Sequence, residues 1–175
     1  MNSSVMIDIE TAGTNKDACI LTIAAHMFDP FSDSISEKHL YKRVNIDSQT
    51  DRSIDDPTIE WWSKQPKASL FEAFEAPNRF DLQPVLEELS RFIFHCDFIW
   101  ANGVTFDMNI LEDAYRSYKM PLPWKYSRVR DCRTVYSLYP NLERLPASHN
   151  SLEDCQRQIV LLQKTFKFLN IKKIV

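Results

Sequence analysis

Asp8 and Glu10 stand two residues apart in the segment VMIDIE. On a strand, that spacing points both carboxylates to one face. Side by side on an apolar strand they repel each other and lose solvation, a costly state for a charge without a partner. A divalent cation relieves both penalties, because hard Mg2+ or Mn2+ takes oxygen ligands. The pair alone is a weak signal. Chance supplies about one D-x-E in a chain of this length at average composition, and a solvated strand face or an edge ion pair explains it equally well. Asp107, in NGVTFDMNIL, sits one residue into a helix that follows a short apolar segment and a turn. That is the carboxyl end of a strand, where α/β sheets place ligands. It is also where any Asp complements a helix dipole. In HNSLED, His149 precedes the last helix and Asp154 lies in its first turn. The loop position lets the imidazole move; a surface His beside ordinary first-turn acids looks the same.

Each of these has an ordinary structural explanation. Together they require an acid pair on the first strand, an Asp after the fourth strand, and a His plus Asp opening the last helix, in that order. Four carboxylates around two cations can hold a phosphodiester, activate water and stabilise the leaving oxygen. A mobile His supplies the general base.

This set resembles the DEDDh group of 3′→5′ exonucleases. The first motif matches as Asp8-Ile9-Glu10-Thr11, the second as Asn102 through Asp107, and the third as His149 through Asp154. Asp56-Pro57-Thr58-Ile59-Glu60-Trp61-Trp62 followed by Gln65, and Arg130-Asp131-Cys132-Arg133-Thr134, are similar to the phage exodeoxyribonuclease A and mycobacterial exoribonuclease-like subgroup. The likeness runs from about Val5 to Leu169. It implies a ribonuclease-H-like fold and two Mg2+ or Mn2+ ions on Asp8, Glu10, Asp107 and Asp154, with His149 as general base. It implies that Glu10 and the backbone near Thr11 approach a terminal 3′-hydroxyl, releasing nucleoside 5′-monophosphates. Thr11, Asn102, Phe106 and Trp62 form the expected substrate-binding set. Trp61 and Trp62 are adjacent on a helix and cannot face the same way, so one belongs to the core and the other can stack on a base.

The elements that must position these residues read as follows. Val5–Glu10, Ala18–Phe28 and Lys38–Val44 are apolar or alternating runs that predict an antiparallel meander. Asp55 or Asp56, with Pro57, opens a helix. Leu82 to His95 carries Val85, Leu86, Leu89, Phe92 and Ile93 on one face. Phe98–Ala101 suits a buried strand, Phe106–Lys119 a helix, and Ser127–Asp131 an edge strand. Thr134–Leu138 is a short helix. Ser151 to Leu169 repeats apolar residues every three or four positions. The expectation is an α/β fold, a mixed five-stranded sheet of a three-strand antiparallel meander plus parallel strands, flanked by helices. One domain covers residues 1–175.

The 175 residues include two glycines and nine prolines, against roughly twelve glycines at average usage. Neither a G-x-G-x-x-G nor a Walker-type loop can be written with Gly13 and Gly103. Both fall beside proposed ligands, where a tight turn or close backbone approach needs them. A net charge of −3 excludes a protein that holds nucleic acid by bulk positive charge, so the grip must be local. Arg128, Arg130 and Arg133, with Lys125 and Arg116 near them, are the densest basic stretch and can serve as phosphate contacts or as a solvated strand edge. The four cysteines form no C-x-x-C, which argues against a zinc module and for reduced thiols in a cytoplasmic protein. No apolar run is long enough to cross a membrane. The expected partner is single-stranded or 3′-overhang nucleic acid, DNA or RNA; a homodimer is allowed. A non-catalytic binding module on the same fold predicts loss of a ligand or of the base, and all five are present. An internally cutting nuclease would use carboxylates without the His-x4-Asp loop.

Overall fold

A computed structural model describes residues 3–143 and 146–174. Its centre is β1 (Ser4–Thr11), whose odd and even residues face opposite layers. Val5, Ile7 and Ile9 enter one apolar cluster, and Met6 enters another. β2 (Ile20–Phe28) and β3 (His39–Val44) complete the meander, each antiparallel to its neighbour. β5 (Phe98–Ala101) lies parallel on the other side of β1, and β6 (Val129–Asp131) lies parallel beyond it. The mixed sheet expected from the sequence is present, with one strand more. Arg79–Phe80, β4, pairs parallel to β3, so the order is β4-β3-β2-β1-β5-β6. Two residues show no period, and this strand exists because Asn45 N donates to Phe80 O at 2.7 Å.

Helices cover both faces. α3 (Leu82–Ile93) and α4 (Val104–Ser117) bury Leu82, Val85, Leu86, Leu89, Ile110 and Leu111 against the Val5/Ile7/Ile9 face. α5 (Cys132–Tyr136) and α6 (Ser151–Phe168) bury Cys132, Tyr136, Cys155, Ile159, Leu162 and Phe166 against Met6, Ala24 and Trp100. Each fully buried side chain of this size contributes about 1.5–3 kcal/mol. α1 (Asp56–Ser63) begins at the Asp55 cap, which accepts from Thr58 N, and is followed by α2 (Lys67–Leu70) and a wide turn, Phe71–Glu75. All four cysteines are free and buried. Among the described residues no helix is long and apolar enough to cross a membrane.

β1 pairs with β5 only over Ser4–Met6, whereas its pairing with β2 continues to Thr11. The two parallel strands part beyond Met6, and the candidate site lies in that gap.

Candidate active site

Asp8 and Glu10 share the parity of Met6, so they leave the strand on the α6 side. α6 meets them with its buried stripe. Ser151, Asp154, Cys155, Gln158 and Ile159 follow one another at helical spacing and are all buried. Asp154 therefore stands among core residues, 7% exposed. One ligand oxygen each from Asp8, Glu10 and Asp154 lies within 4.8 Å of the others. Asp107 enters from the first turn of α4, 4% exposed, and its Oδ1 accepts from Ile9 N at 3.2 Å. It lines the same cavity of about 250 Å3, together with His149 and Asn102.

The electrostatics follow from crowding acids in a buried place. Burial, then the charges of Asp154 and Asp107, push Glu10 up to about 8. Burial pushes Asp107 up to about 7, although the Ile9 N–H opposes it. Asp8 is raised well above the ordinary carboxylate range by burial, then by Asp107 and Glu10. The donors are all carboxylate oxygens, and the raised values show how strongly they want a positive partner. A hard divalent cation fits this set.

Asp154 also builds the loop before its own helix. Its Oδ1 accepts from Ser148 N and its Oδ2 from His149 N, both at 2.9 Å. Asn150 caps the helix by accepting from Leu152 N and Glu153 N. His149 is held at φ 56°, with its ring 4.8 Å from that of Trp61 at 88° and 6.2 Å from that of Trp62.

A second cavity, about 640 Å3, shares Ile9, Glu10 and Phe106 with the first and extends over Thr11, Gly13, Trp61 and Trp62. Thr11 and Phe106 line this second cavity and Asn102 the first; Trp62, expected with them in the substrate-binding set, is packed into the core instead. The tryptophans divide their tasks. Trp62 is 1% exposed, and its Nε1 donates to Thr11 O at 2.9 Å, so it is the core member of the pair. Trp61, at 42%, is the exposed one.

Both glycines serve the site. Gly103 has φ 110°, in the left-handed region that disfavours side chains, and turns the chain from β5 into α4. Gly13 is required by contact, since a Cβ there would lie 2.9 Å from Asp55 Oδ2. Asp131 supports Gly103 by accepting from its N–H at 3.0 Å while capping α5 through Thr134.

Sequence reasoning missed Gln158 and Arg157. Gln158 Nε2 donates to Asp8 Oδ1 at 2.7 Å, and its Oε1 is buried without a partner. It falls one turn after Asp154 on the same stripe, and that spacing was the available signal. Arg157 Nη1 donates to Pro146 O at 2.7 Å and lies 3.7 Å from Asp154 Oδ1, bringing a positive charge to the cavity wall.

Comparison with known proteins agrees with this geometry. The exodeoxyribonuclease of Enterobacteria phage T4 is 23% identical over 208 aligned positions, 93% of this chain and 88% of that protein. E. coli Exonuclease I in complex with a dT13 oligonucleotide superposes with a TM-score of 0.70 at 15% identity, over 97% of this chain and 43% of that one. A moderately thermophilic Exonuclease I from Methylocaldum szegediense gives 0.72 at 11%, over 98% and 42%. The chain spans less than half the length of these structures, and at such identities they establish the fold. Residues 3–166 match the family described as the 3′-5′ exoribonuclease Rv2179c-like domain. The chain therefore belongs to the Rv2179c-like family of 3′-5′ exonucleases.

Proposed function

We propose that this chain, as one exonuclease domain over residues 1–175, removes nucleotides from the 3′ end of single-stranded or 3′-overhang nucleic acid. The observation that carries the reading is the meeting of Asp8, Glu10, Asp107 and Asp154 in one cavity with His149 on its wall. The four carboxylates would hold two Mg2+ or Mn2+ ions. When bound, such ions stabilise charge on a phosphodiester and make water more acidic. His149 takes the proton of the attacking water at an imidazole nitrogen. Asp154 positions that base by gripping its backbone N–H. Trp61 offers an exposed ring to the terminal base, with buried Trp62 behind it. Thr11 and Glu10 border this cavity and meet the terminal sugar. Asn102 and Phe106 face the adjoining nucleotide, and the product is a nucleoside 5′-monophosphate.

The relatives support both sugars, since one is an exodeoxyribonuclease and the family description names an exoribonuclease. Exonuclease I binds dT13 and dA16 oligonucleotides. Free, buried thiols suit a reducing cytoplasm. The reading concerns a single chain; a homodimer is no part of it.

Time courses on 5′-labelled and 3′-labelled oligonucleotides, with and without EDTA, test the proposal. A metal-dependent ladder descending from the 3′ end is expected. Internal fragments would favour an endonuclease, and no products in Mn2+ a binding module.

Gln158 provides a second check. Gln158→Leu keeps the volume but removes the donor to Asp8. Groups that orient metal ligands are worth about 10–100-fold in metal affinity or activity. A Mn2+ titration of activity should shift upward by that factor, while melting in EDTA stays near wild type because the orphaned Oε1 goes too. An unmoved titration would reduce Gln158 to packing.

A further inference from the structure

We infer that Ser69 is a positioning residue for His149, acting through the peptide group between Ser148 and His149. The inference rests on the exonuclease reading, which gives His149 a proton to take, and names what fixes that base in place. Ser69 sits on α2 and lines neither cavity.

A serine on a helix commonly turns its hydroxyl back to the carbonyl one turn earlier, as Ser90 does to Leu86 O. Buried Ser69 instead donates to Ser148 O at 2.8 Å, 79 positions away. The other side of that same peptide group is His149 N, which Asp154 Oδ2 holds at 2.9 Å. The peptide plane is therefore gripped at both ends. Its orientation sets φ of His149, and that angle is 56°, in the left-handed region where the backbone crowds a side chain. Such a conformation persists where the surroundings over-determine it. With the carbonyl released, the plane can rotate, and His149 relaxes to an ordinary conformation with its imidazole displaced.

Asp154 is also a proposed metal ligand, so its hold on the loop varies with cation binding. Ser69 lies outside the ligand set, and its hold does not vary. It is also well founded. Its neighbour Leu70 packs with Ala73 and Phe74 around Trp62. The Trp62 ring meets that of Phe74 at 5.6 Å, and its Nε1 donates to Thr11 O at the end of β1. Support thus runs from the strand that carries Asp8 and Glu10, through buried Trp62 and α2, to the base. On the far side of the loop, Thr22 Oγ1 and Ser151 Oγ lie 2.9 Å apart, and Thr22 is the register partner of Glu10. The imidazole and the carboxylates are set from the same two strands.

Ser69→Ala, Ser69→Thr, His149→Ala and the double variant Ser69→Ala with His149→Ala test the role. In Mn2+, kcat of Ser69→Ala should fall about tenfold, as for a displaced catalytic group, with KM unchanged. Ser69→Thr keeps the hydroxyl and should restore kcat. On the residual activity of His149→Ala, the Ser69→Ala change should cost nothing more, because residues that act as one unit are not additive. Equal losses in both backgrounds would mean packing alone and overturn the proposal. A second readout needs no substrate. The imidazole stands perpendicular to the Trp61 ring at 4.8 Å, so the indole shifts its carbon-bound proton resonances. In EDTA at one pH, that shift should collapse in Ser69→Ala and persist in Ser69→Thr. A His149 resonance unmoved by Ser69→Ala overturns the proposal whether or not the protein cuts. Wild type that yields no metal-dependent ladder, with the resonance moved in Ser69→Ala, fails the exonuclease reading and upholds the placement of His149.

Discussion

Asp8→Asn should lower exonuclease activity on the order of a thousandfold or more while making the protein harder to melt in EDTA. The two halves of this expectation have one cause. Asp8 sits under the charges of Asp107 and Glu10 in a buried place, and its carboxyl is raised accordingly. An amide has the same shape, carries no charge, and can still accept from Gln158 Nε2. It relieves repulsion in the empty site and removes a ligand from the filled one. At pH 8 in EDTA the variant should melt several degrees higher, at about 2–4 °C per kcal/mol for a chain of this size. Added Mn2+ should raise its melting temperature less than that of wild type. Activity surviving the substitution would sink the assignment of Asp8. A lower melting temperature in EDTA would show that the carboxylate stabilises the fold on its own.

Metal-free wild type should lose stability as pH rises from about 4 to 8, with divalent cation restoring it most at the alkaline end. The sign follows from the raised values of Glu10, about 8, and Asp107, about 7. In the unfolded chain these carboxyls release protons near their ordinary values of about 4. In the folded chain they hold them until near neutrality or beyond. Over the interval the native state binds more protons, and stability falls with pH. The stabilisation is complete below the unfolded values and lost as pH passes the folded ones. Binding a cation expels the same protons, so its affinity must climb with pH. Thermal melts between pH 5 and 8.5, with EDTA or Mn2+, provide the check. A metal-free melting temperature that rises through this range would contradict the electrostatics of the cavity. The two experiments together separate a repelling acid cluster from one already neutralised by neighbouring cations.

The proposed metal ligands Asp8, Glu10 and Asp154 were legible because they lie on strongly patterned elements. VMIDIE alternates, so it fixed both the strand and the shared side of Asp8 and Glu10. The stripe of α6 is regular enough to place Asp154 against the sheet. What escaped notice depends on distant partners. Arg79–Phe80 becomes a strand only beside β3, and neither residue announces it. α2 is four residues long, too short to show a period. Gln158 matters because Asp8, 150 positions earlier, lies 2.7 Å away. Adjacency showed that one tryptophan must be buried but not which: the sequence alone placed Trp62 in the substrate-binding set, whereas Thr11 O takes its indole N–H and holds it in the core, leaving Trp61 exposed.

The parting of β1 and β5 beyond Met6 has a kinetic consequence. Past that point the β1 edge facing β5 has lost its strand partner, and Ile9 N is bonded to the carboxylate of Asp107 instead. A backbone proton in the middle of a sheet is thereby guarded by a single side chain. Ile9 should exchange with deuterium at the rate of the residues around it only while Asp107 is in place. In Asp107→Ala its exchange should quicken about tenfold, one hydrogen bond of about 1.4 kcal/mol, while Val5, bonded within the full sheet, keeps its rate. One amide would then report, without any substrate, whether the open seam of the sheet is latched.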